Sequence, residues 1–444
     1  MTTMLDLTEL KVRELAAGVA KGDFTPSDIL EASLARIMEY EDRVQAWTVV
    51  DWDGARAQAL ALDAEAAAGK LRGPLHGVPV AIKDEFHVAG FATAMKGPDA
   101  PIEPADATVV ARLRAAGAII VGKTTMPVDG VMPPTRNPFN LEHTAGGTSS
   151  GSGAAVGARM VPFAIGEQTA GSNLRPAAFN GVGGLKPTYG RISRFGCVPF
   201  AWSRDHVGLM GLDMADIALV LSCVAGPDPL DPSALPDLPP PADLNMKDYG
   251  VPRIGVVKNF FPERTGASMQ GAVEDAAKQF VEAGATVVEV MLPKEYELAW
   301  HGANAITAEG AAMHAGTPPS RPGQRASELL PATYYIQARR IRTWLTSLVT
   351  AMYADVDALL MAVAPEPAPK GLSSTGDASL LSPWSYLGFP AITVNNGITA
   401  ENLPLGIQLV GAPKTDYELL RLGAWCEGVL GLLPAPMIGT LPEV

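Results

Sequence analysis

The chain has 444 residues, 47% apolar and 18% charged, with a formal net charge of −13 and an isoelectric point near 5.0. This composition belongs to an ordinary folded chain and excludes a disordered one. The acidic balance argues against nucleic acid or an anionic membrane as the main partner, because both want a basic face.

The N-terminal stretch MTTMLDLTELKVRELAAG carries acids where a secretory leader would be basic and then apolar. No apolar run reaches the roughly 18 residues that span a bilayer, so the cytoplasm is the expected location. Thr25 and Pro26 suit an N-cap and a first helical position, and Ile29, Leu30, Leu34, Ile37 and Met38 then recur at helical spacing. Residues 55–70 read as a second helix, so the first 70 residues are expected to be helical. From residue 77 short apolar runs alternate with helical patterns. Strands are predicted at 78–82 and 119–124, with a helix between them over 106–118. A buried small-residue helix follows the Gly/Ser-rich stretch at 146–153. The proline-dense segment 227–252 reads as a long surface connection. After it come a strand from 253, a helix at 268–285 and a strand at 286–292. Helices follow over 296–355, broken at 316–324. Near the end, VDALLMAVAP, PAITVNN and LGIQLVG read as strands and DYELLRLGAWCEGVLG as a helix. This alternation predicts an α/β fold with strands buried on both faces.

Cys197, Cys223 and Cys426 stand far apart with no C-x-x-C spacing. They are expected to be free core thiols rather than part of a zinc or disulfide framework. The six histidines, His76, His87, His143, His206, His301 and His314, show no metal-ligand spacing and are read as structural or surface residues. GAIIVGKT, residues 117–124, fits the phosphate-binding P-loop pattern only formally. Its apolar, β-branched middle belongs in a strand, and no helix opens after Lys123.

Three stretches carry chemistry. HTAGGTSSGSGAAVGA, residues 143–158, is a tight Gly-rich passage that can present hydroxyls and amide donors. In GEQTAGSNLRPAAFNG, residues 166–181, small residues before Ser172 let several backbone N–H groups converge on one point, where they could hold an oxyanion. Lys83 closes the apolar run VPVAIK, where burial would lower its pKa and make it a neutral base; its bland alternative is pairing with Asp84 or Glu85.

In this order and spacing, GVPVAIKDEF, AGGTSSGSGAAVGA and GEQTAGSNLRPAAFNGVGGLKPTYGRIS resemble the amidase signature family. The likeness continues through SRDHVGLMGLDMADIALVLSCVAG and the C-terminal GFPAITVNNG and LPLGIQLVG. It implies a single α/β/α sandwich domain over 1–444 with a mixed β-sheet flanked by helices. Within it, N-terminal helices fill 1–70, a signature core 71–225, a variable pocket-bearing region 226–375, and a return to the core sheet 376–444. It also implies amide hydrolysis by a Ser–cis-Ser–Lys triad with neither metal nor organic cofactor. Carried onto this chain, the nucleophile is Ser172, the base Lys83, and the bridge Thr148, where the family usually has serine. Ser149 is the fallback bridge if the register slips by one, with Ser150 then supporting it. The oxyanion donors would be the backbone N–H groups of Thr169, Ala170, Gly171 and Ser172. Ser203 and Asp205 match a segment that packs near the site and are assigned structural work.

Arg175 follows the nucleophile by three residues. It either grips a substrate carboxylate or ties down the nucleophile turn. The expected function is hydrolysis of a small-molecule amide to acid plus ammonia or amine through a serine acyl-enzyme, with esters or carbamates also open. The alternatives are an amidotransferase subunit that delivers ammonia to a partner, and an inactive binding protein on the same fold. Expected partners are a small-molecule amide or carbamate, with neither nucleic acid nor membrane, in a monomer or homodimer. Specificity is expected to lie in 125–142 and 296–350, where Met126, Met132, Phe139, Trp300, Tyr334, Tyr335 and Trp344 could line an apolar pocket or simply be core.

Overall fold

The short apolar runs become strands. The computed structural model describes residues 6–97, 99–128, 131–237, 246, 249–313 and 324–439. Its strands are β1 (Trp47–Val50), β2 (Pro79–Lys83), β3 (Ile119–Thr124), β4 (Arg136–Asn137), β5 (Asn140–Thr144), β6 (Phe163–Glu167), β7 (Gly183–Lys186), β8 (Val207–Gly211), β9 (Arg253–Val257), β10 (Thr286–Val290), β11 (Ala358–Ala362), β12 (Ala391–Ile398) and β13 (Pro404–Gly411). Eleven of them form one sheet in the order β1-β3-β2-β6-β8-β7-β12-β13-β11-β9-β10, and β4 pairs with β5 alone. The sheet is mixed. β2 runs parallel to both β3 and β6, and β9 to β10 and β11, while the remaining pairs are antiparallel.

Side chains along a strand point to alternate faces, and the two cores follow that rule. Val80, Ile82, Ile120 and Ile165 belong to one apolar cluster, while Ala81, Ile119, Val121 and Ala164 belong to the other. Helices cover both faces. The smaller core lies under the helices Pro26–Val44, Trp52–Ala67 and Ser150–Gly157, and the last of these is buried along its whole length. Its glycines allow that fit: a Cβ on Gly151 would stand 2.2 Å from the Ala46 carbonyl oxygen.

Thr25 and Asp28 form a reciprocal capping box with Pro26 at the first helical position, as expected. The helix beyond them buries Ile29, Leu30, Leu34 and Ile37 but leaves Met38 72% exposed, at the edge of the apolar stripe. The all-helical reading of the first 70 residues misses β1, which pairs antiparallel with β3 at the sheet edge. Lys123 lies within strand β3, one residue before its end at Thr124, consistent with rejecting the P-loop. Of the three free cysteines only Cys426 is fully buried; Cys197 and Cys223 are partly exposed. Met126 and Phe139 are core, whereas Met132, Tyr334 and Trp344 are exposed. His314 and residues 316–323 of the predicted break lie outside the described residues. No described helix is long and apolar enough to cross a membrane.

Candidate active site

Two parallel strands end side by side. β2 is apolar until its last residue, Lys83, and β6 until its last residue, Glu167, with Ile82 in register with Ile165. Ligand sites in α/β sheets lie beyond the carboxyl ends of such strands. Burial of the apolar stems therefore brings an ammonium and a carboxylate to one point. Lys83 Nζ lies 3.2 Å from Glu167 Oε2, 3.1 Å from Glu85 Oε2 and 2.7 Å from Thr148 Oγ1, and the lysine is completely buried.

The Gly-rich passage delivers the hydroxyl. Gly146 and Gly147 have φ of +84° and +65°, a region that side-chain-bearing residues rarely adopt. A Cβ on Gly147 would meet the Pro176 ring at 2.6 Å. The chain then passes against the turn that holds Ser172, with the Ser149 N–H donating to the Ser172 carbonyl at 3.2 Å. Thr148 is thereby turned toward Lys83. Ser149 points elsewhere, because its hydroxyl pairs with the backbone N–H and C=O of Glu167, each at 3.1 Å. Ser150 faces the Thr125 carbonyl at 3.5 Å. The fallback bridge through Ser149, with Ser150 in support, is thus not the arrangement found. No cis peptide bond occurs among the described residues, so the cis bridging residue that the resemblance implies is not seen either.

Ser172 sits between β6 and the short helix Leu174–Phe179. The turn is folded around the buried Gln168 carboxamide. Its oxygen accepts from the Asn173 and Leu174 N–H groups at 3.0 and 2.9 Å, which satisfies donors that a helix start leaves unpaired. Its nitrogen donates to Ser385, whose hydroxyl donates to the Ala170 carbonyl at 2.7 Å. The backbone N–H groups of Thr169, Ala170, Gly171 and Ser172 donate to no acceptor among the described residues. The Ser172 hydroxyl is likewise unbonded among them. The contact from Lys83 to Thr148 is closed, and the contact from Thr148 to Ser172 is open.

The electrostatics depart from expectation. Burial alone would push the Lys83 ammonium down, but Glu85 and Glu167 outweigh it and hold the lysine above its ordinary range. Lys83 is therefore favoured as the ammonium, not as the neutral amine expected from burial. Burial, reinforced by Glu85, pushes Glu167 up to about 8. The Thr169 hydroxyl lies 2.9 Å from both Glu167 Oε1 and Asp205 Oδ1. One hydroxyl proton cannot serve two carboxylates, so one of the pair carries a proton of its own. Asp205, expected to be structural, does accept the Phe200 and Ala201 N–H groups, and it also belongs to this cluster. Asp84 is paired with Lys123 at 2.7 Å rather than with Lys83.

Sequence reasoning missed Glu167 and Gln168, and it offered Glu85 only as an alternative partner of Lys83, a pairing that the structure does contain at 3.1 Å. The available signal was an acid ending the buried run FAIGE, as Lys83 ends VPVAIK. Arg175 is 4% exposed, with Nε and Nη1 lacking a hydrogen-bond partner among the described residues and Nη2 3.5 Å from Thr375 Oγ1. Burial pushes its guanidinium down to about 10, against an opposing Asp377. No group of three or more His, Cys, Asp or Glu among the described residues is placed to hold a metal ion.

A family model described as Amidase matches residues 28–322 and 320–420. The chain belongs to the amidase signature family. A glutamyl-tRNA(Gln) amidotransferase subunit from Anaeromyxobacter sp. (strain K) is 36% identical, across 98% of this chain and 99% of its own. A solved structure of a vestigial protein complex that reveals the evolutionary origins of an s-triazine catabolic enzyme has a TM-score of 0.89 at 32% identity, covering 96% of this chain and 100% of that one. Native peptide amidase from Stenotrophomonas maltophilia has a TM-score of 0.82 at 28% identity, covering 97% and 99%. Family membership supports an enzyme that acts on amides, built on the expected mixed sheet flanked by helices.

Gln168→Leu strands two buried N–H donors, each worth about 1–3 kcal/mol. The expected result is a lower urea midpoint and loss of any Ser172 reactivity; an unchanged midpoint would show that the carboxamide does not hold the turn.

Proposed function

We propose that this protein cleaves the C–N bond of an amide through an acyl-enzyme on Ser172, releasing ammonia or an amine. The observation that carries this reading is the 2.7 Å contact between Lys83 and Thr148 beside a turn whose four amides have no acceptor among the described residues. A serine hydroxyl is a weak nucleophile until a base takes its proton as it attacks. Here that proton passes through Thr148 toward Lys83. The backbone N–H groups of Thr169, Ala170, Gly171 and Ser172 hold the oxyanion, a contribution worth a few kcal/mol per donor in other enzymes. The leaving nitrogen takes the proton back, and water releases the acid. Esters and carbamates fit the same acyl chemistry.

Arg175 narrows the substrate. A structural arginine would have its donors filled, but this one is buried with two nitrogens unpaired and no described carboxylate within ion-pair distance. A buried charge without a partner is costly. The segment around Thr375 packs against both Arg175 and the Gly147 N–H, so the guanidinium lies beside the hydroxyl loop. These facts favour a substrate that carries a carboxylate near its amide.

The curated relatives favour a second reading. They bear the name of amidotransferase subunits, at up to 36% identity across nearly the whole of both chains. In that reading the same Ser172 chemistry frees ammonia for a partner protein. The alignment with the Anaeromyxobacter relative runs over 494 positions, more than the 444 residues here, so that relative carries insertions this chain lacks. Co-purification of a stoichiometric partner, with ammonia release only in its presence, would select the subunit reading. Turnover by the chain alone would select the hydrolase.

Fluorophosphonate is expected to label Ser172, and Ser172→Ala is expected to lose both the label and at least about 1,000-fold in rate on a panel of aryl, aliphatic and carbamate substrates. A wild-type chain that is neither labelled nor active would point instead to a binding protein on this fold. Arg175→Met is expected to cost about 100-fold in kcat/KM on amides bearing a carboxylate while sparing neutral ones; equal losses on both would return Arg175 to a structural role.

A further inference from the structure

We propose that the proton leaving Ser172 does not stop at Lys83 but ends on Glu167, which acts through the lysine as its positioning residue and proton acceptor. This rests on the reading above that Ser172 attacks an amide. The geometry at Nζ argues for it. Three oxygens surround the nitrogen: Thr148 Oγ1 at 2.7 Å, Glu85 Oε2 at 3.1 Å and Glu167 Oε2 at 3.2 Å. An ammonium satisfies all three with its three protons. A neutral amine has two protons and one lone pair, and two flanking carboxylates that take those protons leave the lone pair aimed at Thr148. That is the direction from which a proton leaving Ser172 arrives.

The two carboxylates are not equivalent. The other oxygen of Glu85 meets only the Cys197 thiol, at 3.8 Å. The other oxygen of Glu167 continues through the Thr169 hydroxyl to Asp205, a second carboxylate able to share a proton. The charged and titratable groups packed around the pair are Glu85 after β2, Lys123 on β3, and Arg194, Cys197, Arg204 and Asp205 from the segment before β8. The ammonium first passes an Nζ proton to Glu167 Oε2, which leaves an amine whose lone pair faces Thr148; as Ser172 Oγ bonds to the amide carbon, its proton then passes to Thr148 and a Thr148 proton passes to Nζ. The carbonyl π pair moves to oxygen. Lys83 begins and ends as ammonium, and Glu167 changes from carboxylate to acid. The proton returns by the same route to the leaving nitrogen. Burial and Glu85 push Glu167 up to about 8, so the relay opens as pH rises through that range.

The test is kcat/KM from pH 5 to 10 for wild type, Glu167→Gln and Glu85→Gln. If Lys83 alone were the base, Glu167→Gln would remove a negative charge beside it and lower its pKa. The rate limb would then move to lower pH, and the rate at pH 7 would rise. With Glu167 as acceptor, the same variant loses at least about 100-fold at pH 8 and its limb moves to higher pH. Glu85→Gln, equal in charge and distance, stays within about tenfold. A downward or unmoved limb in Glu167→Gln overturns the proposal, as does an equal loss in Glu85→Gln. Should Glu167→Gln fail to fold, Thr169→Val decides. It removes a hydrogen bond that favours the Glu167 carboxylate, so the limb should rise by up to about one pH unit, and an unmoved limb overturns the proposal. Fluorophosphonate labelling of Ser172 in wild type separates the two failures: without it the parent reading falls, and with it only this inference does.

Discussion

The site depends on one contact, the hydrogen bond between the Lys83 ammonium and the Thr148 hydroxyl. Neither group reaches the other by local structure. Lys83 arrives because β2 spends its apolar residues inside the sheet and ends on the only side chain that demands a polar neighbour. Thr148 arrives because two glycines in left-handed conformations let the chain press against the helix that follows Ser172. The parallel pairing of β2 with β6 brings the strand ends Lys83 and Glu167 side by side. Any change in that register would carry Glu167 away from the lysine and the nucleophile turn away from both.

A completely buried ammonium is costly unless its charge is matched. This chain matches it twice over, with Glu85 and Glu167 at 3.1 and 3.2 Å, and the surplus negative charge raises the proton affinity of the whole group. The result is an ammonium held between two carboxylates rather than a lone basic amine. The same turn is held from beneath by the Gln168 carboxamide and the Ser385 hydroxyl, neither of which touches the reacting serine. Position and charge are therefore supplied by different residues, and the backbone amides of 169–172 are left without an acceptor among the described residues.

How much of this was legible in the sequence follows from where each signal resides. Lys83, Thr148 and Ser172 stand in short stretches with their own punctuation, so they could be singled out before any fold was known, and the structure brings Lys83 and Thr148 into contact. The strands β2, β3 and β6 were equally plain as apolar runs bounded by breakers. Glu85 and Glu167 were not legible as a pair, because what joins them is strand register across 82 residues of sequence. The neutral state expected of Lys83 failed for the same reason: burial was readable, the converging carboxylates were not. β1 was hidden by its brevity between two strong helices, and Met38 by lying one position beyond the apolar stripe. Arg175 was read as either structural or substrate-facing, and its two unpaired nitrogens, which only the structure shows, are what the substrate-facing proposal rests on.

The central claim is that Thr148 carries the proton between Ser172 and Lys83. The most direct measurement is the stopped-flow rate of acylation, followed by first-turnover amine release, in Thr148→Ser and Thr148→Val. The account predicts that serine keeps the rate within about tenfold of wild type and that isosteric valine lowers it at least about 100-fold. Acylation by the valine chain at the wild-type rate would contradict it.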